Sequence, residues 1–268
     1  MNLKLILFLL VSSIFIFSFN DSFAEVEPIL ITVSPSMNDI IFDGKWTNYL
    51  EWKQSSHNQF SFGVNDILHL RTAHYGDYIY VLVDAVSDLT LDEKKDQATV
   101  CLDGENNKNK IHDNNDFCFT VMLGDEEGFI FQGNQTEESN LSMHVIPNPH
   151  DFIAKSAISD ENDRYTKTPH PSYEFKIPID LLERSDNYGF YLSVYDSSLD
   201  KFYSWPQNST RKNLSEIPSP SSWGDIISPD KSLPELNLPI LVFTILIFMI
   251  IILQSKGKIP TFTGKSSF

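Results

Sequence analysis

The residues between Asp103 and Asp116, DGENNKNKIHDNND, concentrate the side chains best suited to chemistry: the carboxylates Asp103, Glu105, Asp113 and Asp116 among several asparagine amides. All-oxygen ligation of this kind suits Ca²⁺, whose charge would offset carboxylate repulsion. The same residues also suit a solvated turn. The spacing is not that of an EF-hand: counting from Asp103, Lys108 stands at the sixth position in place of Gly, and Asn114 at the twelfth in place of Glu. Cys101 and Cys118, the only cysteines, lie just outside this loop. If the flanking segments pair so that Asp103 faces Asp116, then Cys101 faces Cys118, and a cross-strand disulfide is expected.

Signatures of catalysis are missing. The chain has no Gly-x-Ser-x-Gly, no His-Glu-x-x-His, no phosphate loop and no Cys-x-x-Cys, and its seven histidines are scattered. Aspartates and glutamates are plentiful, but sequence cannot set two of them at a glycosidase separation. A net charge of −16 argues against nucleic acid, which needs a concentrated basic footprint. A non-catalytic protein is expected, with a possible place as the accessory module of a glycan-degrading system.

The elements that would position these groups are short strands. Alternation of period two runs through 67–73, 78–86, 98–103, 116–123, 129–132, 173–177 and 190–195, with turn signals at Gly76-Asp77, Gly124-Asp125, Gly133-Asn134 and Asn187-Tyr188-Gly189. Only 178–184, PIDLLER, reads as helical, over about two turns. The pattern predicts an all-β fold, a two-sheet antiparallel β-sandwich of jelly-roll type, with one C-terminal transmembrane helix.

The two ends set the topology. Residues 1–24 carry Lys4, an apolar run and Ser22-Phe23-Ala24, the pattern of a signal peptide cleaved after Ala24, with an uncleaved signal anchor as the alternative. Residues 236–253 are free of charge and long enough for a hydrocarbon core of about 30 Å. Lys256, Lys258 and Lys265 follow them, so the positive-inside rule places 254–268 in the cytoplasm and the bulk of the chain outside the cell. A lead-in (25–39), a domain (40–228) and a spacer (229–235) complete the plan. Sequons at Asn134, Asn140, Asn208 and Asn213 fit a glycosylated outer surface.

An ordered set of motifs accompanies this plan: Phe42-Asp43-Gly44 then Trp52, Tyr75 to Val81, Val100 to Asp103, Tyr173 to Pro178, Gly189-Phe190 with Val194-Tyr195-Asp196, and Trp223 to Ile226. In this order they resemble the family 9 carbohydrate-binding module and the wider DOMON-like group across roughly residues 40–227. The C-terminal tail is similar to archaeal PEF-type sorting tails, with Leu236 in place of Phe. The resemblance implies a sandwich in which the Asp-Gly turn and Trp52 pack at the edge, with Trp46 a partly covered neighbour. It also implies sugar held between two loop tryptophans, and here the chain departs: 92–96 reads DEKKD and 208–216 holds no aromatic. Substitutes are Trp46, Tyr78, Tyr80, Tyr191, Tyr195, Trp205 and Trp223, each of which could instead be sheet packing.

Related modules carry structural calcium, which the acidic loop could hold. Others in the group bind haem through Met with His or Lys; Met122, Met143 and His144 are the candidates, although a Met on a sheet face usually fills a core. The expected function is a membrane-anchored cell-surface module for carbohydrate or a surface polymer. The alternative is a structural or partner-binding envelope protein that has lost the sugar site, and a haem-binding redox domain stands third.

Overall fold

A computed structural model describes residues 26–134, 143–209 and 211–228. The signal segment, Asn140, the spacer, the span 236–253 and the tail lie outside the described residues. No helix among the described residues is long and apolar enough to cross a membrane.

Fourteen strands form two sheets: β1 (Ile29–Leu30), β2 (Thr32–Val33), β3 (Ser56–Ser61), β4 (Ile67–Tyr75), β5 (Tyr78–Asp84), β6 (Gln97–Asp103), β7 (Asp116–Met122), β8 (Phe129–Gly133), β9 (Met143–Ile146), β10 (Ile153–Ile158), β11 (Pro171–Pro178), β12 (Asn187–Asp196), β13 (Lys201–Trp205) and β14 (Gly224–Ile227). The eight-stranded sheet runs β1-β14-β12-β6-β7-β8-β9, with β13 also on β12. The six-stranded sheet runs β10-β11-β5-β4-β2, with β3 also on β4. The sandwich is therefore as expected, but mixed, because β1 pairs with β14 and β2 with β4 in parallel. Both of those strands come from the lead-in before Ile40.

Alternation explains the layering, since every second residue of a strand points to the same face. Leu68, Leu70, Val81, Val83, Val100, Leu102, Phe117, Phe119, Val121, Phe175, Leu192 and Val194 turn inward and form the main core between the sheets. Each such side chain contributes about 1.5–3 kcal/mol through burial. The β6–β7 pairing sets Asp103 opposite Asp116 and Cys101 opposite Cys118, and the two cysteines form a disulfide with Cα atoms 4.0 Å apart.

A helix over 178–184 does not form. Pro178 stays extended, paired with Tyr78 on β5, and only the 3₁₀ turn Ile179–Leu181 follows. Seven residues are too few to repay helix nucleation against that sheet pairing.

The two N-terminal tryptophans close a second core, on the outer face of the six-stranded sheet, with Met37, Ala73, Tyr80 and Leu82. Trp52 is 0% exposed and Trp46 1%, so Trp46 is fully covered and not partly so. Its indole N–H donates to the carbonyl of Asn48. Trp52 donates from Nε1 to Glu174 Oε1 at 2.8 Å, while Glu174 Oε2 accepts the backbone N–H groups of Gly44 at 2.8 Å and Asp43 at 3.1 Å. Gly44 sits at φ +93°, and a Cβ there would lie 2.3 Å from the Ser156 carbonyl carbon. No other residue fits this turn without moving β10. Burial pushes the Glu174 carboxyl well above its usual pKa, against the pull of the donors from Trp52 and Gly44.

Replacing Glu174 by Ala strands two buried N–H donors and a third that is partly buried. Urea unfolding should show a loss of about 3 kcal/mol or more, while a control Glu127→Ala on the surface should change stability by less than about 0.5 kcal/mol.

Candidate functional site

The seven aromatic candidates do not converge on one site. Trp46 and Tyr80 are buried in the second core, and Trp205 lies in the main core. Tyr191 and Trp223 are buried on the outer face of the eight-stranded sheet, in a cluster with Cys101, Cys118 and Met143. There Tyr191 hydrogen-bonds Ser204 Oγ, and the Trp223 indole donates to the Pro218 carbonyl. None of these five offers a ring face to a ligand: their indoles and rings are consumed by packing, the ordinary fate of large aromatics in a sandwich. Tyr78 and Tyr195 remain half-buried. The Tyr78 ring is covered by Lys176 Nζ, 3.8 Å from its centroid.

Tyr195 has different neighbours. The register of β7, β6, β12 and β13 places Met122, Gln97, Tyr195 and Phe202 side by side on the outer face of the eight-stranded sheet. All four are half-buried, and the Tyr195 and Phe202 rings lie 4.7 Å apart. One rank further along the strands, the same register aligns Phe129, Thr120, Thr99, Ser193 and Ser204. Phe129 is 44% exposed at the end of this rank. Thr99 and Thr120 share a hydrogen bond of 2.9 Å.

The segment following β13 folds over the hydroxyl rank. Arg211, 7% exposed, donates from Nη1 to Thr99 Oγ1 at 3.2 Å and from Nε to the carbonyls of Asn213 and Glu216. Its charge is met by carbonyl dipoles, and burial lowers its pKa. The surface left open combines two aromatic rings, a primary amide and a thioether, while the hydroxyls of Thr99, Thr120, Ser193 and Ser204 beside it are buried. Such a face can stack against an apolar ring surface while its amide hydrogen-bonds polar groups. Phe202, Gln97 and Phe129 were not among the sequence candidates. The period-two segments included Tyr195 but began only after Gln97, and the pairing register makes the two neighbours.

The acidic loop is partly assembled. Asp103 and Asp116 are buried face to face, each with an Oδ1 that has no hydrogen-bond partner, and burial followed by the charges of Asp103 and Asp113 pushes Asp116 up to about 8. The Asp113 carboxylate instead takes N–H groups from Asn107, Asn109 and Asn115. Glu105 lines a polar cleft of about 520 Å³ with Asn107, Asn109 and Asp113. The four carboxylates thus do not form one ligand set. Among the described residues, the sets compact enough to hold a metal ion are Asp84 with Asp163 and His170, and Asp88 with Asp96 and Asp196.

Met143 packs in the cluster around the disulfide. Asn208 and Asn213 are exposed and Asn134 is half-buried.

The sequence matches no protein-family model and no curated protein. Among solved structures, the chain is similar to a carbohydrate-binding module of family 9 from Caldicellulosiruptor kristjanssonii in complex with cellotriose. The identity is 15% and the TM-score 0.48, over 79% of this chain and 100% of that one. A module of the same description in complex with glucose gives 14% identity and a TM-score of 0.48, over 75% of this chain and 95% of that one. At this distance the fold stands on the strand order and register given above, and the sugars belong to those proteins.

On the other sheet's outer face, His69 stacks on Tyr165 with ring centroids 3.7 Å apart, and its Nδ1 lies 3.0 Å from His57 Nε2. Burial first, then the charge of His57, lowers the His69 pKa from 6.5 to about 4, with Asp84 pulling the other way and Arg71 adding to the fall. His69 therefore stays neutral in the fold at pH values where the unfolded chain takes up a proton. Its contribution to stability is complete above pH 6.5 and is lost as pH falls towards 4. Thermal unfolding between pH 7 and pH 4.5 should show Tm dropping in the wild type and dropping less in His69→Gln.

Proposed function

We propose that this chain is a non-catalytic cell-surface module that holds carbohydrate or a surface polymer on the outer face of its eight-stranded sheet. The observation that carries the reading is the rank Met122, Gln97, Tyr195 and Phe202, half-open at the end of the eight-stranded sheet. An aromatic pair supplies the apolar surface on which the CH faces of a sugar ring stack, and the Gln97 amide answers its hydroxyl groups. The signal segment 1–24 and the span 236–253 put this face outside the cell, tethered through 229–235. A glycan-degrading system could use it as an accessory that keeps polymer close.

One observation favours a second reading. The segment carrying Arg211 covers the hydroxyl rank, and five of the seven candidate aromatics are buried. An envelope scaffold that keeps the fold and binds a protein partner would look the same at those positions.

Affinity electrophoresis of the full chain in detergent against a panel of soluble polysaccharides separates the two. Retention by at least one polymer is expected. Tyr195→Ala or Phe202→Ala should weaken it about tenfold, as the loss of about 1.4 kcal/mol of stacking requires, while Tyr78→Ala leaves it unchanged. No retention by any polymer, or retention indifferent to both substitutions, would favour the scaffold.

A further inference from the structure

Asp84, Asp163, His170 and Ser172 meet on the outer face of the six-stranded sheet. Asp84 ends β5, and the β5–β11 register sets Ser172 beside it on the same face. Asp163 and His170 belong to the β10–β11 connection, which returns over that face and stacks Tyr165 on His69. Asp84, His170 and Ser172 are 0% exposed, and Asp163 is buried with them. One ligand atom from each aspartate and from the histidine falls within 4.8 Å of the other two.

Local bonds aim these groups at one another. Asp163 Oδ1 accepts the backbone N–H groups of Tyr165 at 2.8 Å and Thr166 at 2.9 Å, which leaves Oδ2 to face the histidine. His170 Nδ1 lies 2.9 Å from the Thr168 carbonyl and 2.8 Å from Ser159 Oγ. A carbonyl only accepts, so Nδ1 carries the ring proton and the neutral imidazole presents its lone pair at Nε2. That atom stands 3.3 Å from Asp84 Oδ1 and 3.9 Å from Asp163 Oδ2. Three buried acceptors thus converge, an arrangement that repels unless something positive joins them.

A second proton on the ring would answer only part of this. It would serve Asp84 Oδ1, at a long 3.3 Å, while Asp84 Oδ2, Asp163 Oδ2 and the Ser172 hydroxyl would still be buried without a hydrogen-bond partner. Arg71 does not supply the missing bonds, because its guanidinium donates to Tyr165 Oη and to the carbonyls of Trp52 and Ser55. Two acids, an imidazole lone pair and an orphaned hydroxyl together make a ligand set.

We propose that Asp84, Asp163 and His170 hold a single divalent transition-metal ion of the Zn²⁺ class, with the Ser172 hydroxyl or a water as the fourth ligand. Tetrahedral Zn²⁺ bonds of about 2.0–2.1 Å set neighbouring ligand atoms about 3.3–3.4 Å apart. The observed separations of 3.3 and 3.9 Å need little closure. An imidazole in the set selects zinc and its neighbours over the hard cations, which take oxygen. The bond from His170 Nδ1 to a backbone carbonyl is the support that fixes a metal-bound histidine in its working tautomer. The ion pins the β10–β11 connection to β5, and with it Tyr165, which meets Trp46 edge-on. It lies on the opposite sheet from the open rank and stands independently of what that rank holds.

The test uses the full chain in detergent, stripped of metal with EDTA and dialysed. Zn²⁺ at about a hundredfold over its dissociation constant should raise Tm by about 5 °C or more. Co²⁺ should bind with visible d–d absorption that Zn²⁺ abolishes and excess Ca²⁺ leaves in place. His170→Gln should remove both effects, and His57→Gln should keep them. X-ray absorption of the zinc-loaded wild type, a readout that needs no variant to fold, should show one imidazole with oxygen in the remaining positions. The proposal is overturned by a wild type that Zn²⁺ does not stabilise, by a Zn²⁺ effect that survives His170→Gln, or by Co²⁺ bands that Ca²⁺ removes. A zinc shell with no imidazole, or with the two that His57 and His69 would supply, overturns it as well.

Discussion

A sandwich of two sheets buries one face of each, and nearly everything else in this molecule follows from that. The inner faces supply the apolar core, so whatever the protein does has to be done on the outer faces or at the loop ends. Each outer face is then claimed again by the chain itself. Residues 35–55 lay Met37, Trp46 and Trp52 over the six-stranded sheet, and the segment from Arg211 to Trp223 lies over part of the eight-stranded one. The end of the latter sheet at Tyr195 and Phe202 stays half-open.

Buried acids meet the same constraint with different solutions. Glu174 is surrounded by N–H donors and serves as a structural clamp for the turn at Gly44. Asp84 and Asp163 share a histidine. Asp88, Asp96 and Asp196 crowd together without a cationic side chain, and burial pushes Asp88 up to about 6. An acidic chain of net charge −16 can place carboxylates in a core only where donors, protons or cations answer them.

Much of the architecture was legible in the sequence. The alternation at β4, β5, β6, β7, β11 and β12 follows from burial of the inner strand face, and because each cysteine lies two residues outside an aspartate, the register that pairs Asp103 with Asp116 also pairs Cys101 with Cys118. The polar strand β3, SHNQFS, was not legible, because an edge strand half open to solvent carries little apolar signal. Nor were β1 and β2, two residues each, whose pairing is set by distant partners. The site was harder to read for the same reason: tryptophans stand out in a sequence, but their size is what sends them into cores. Gln97 and Phe202 became neighbours of Tyr195 only through long-range pairing, and Asp88, Asp96 and Asp196 are spread over more than a hundred residues.

A ligand on the outer face would lie against Tyr195 and Phe202, as proposed above. The most direct test is NMR of the full chain in detergent micelles, with carbon-13 in the aromatic rings and the methionine methyls, titrated with oligosaccharides. The account predicts saturable shifts in Tyr195, Phe202 and the Met122 methyl, with the rings of Trp46 and Trp52 unmoved. Binding that shifts other residues and leaves these three still would contradict it.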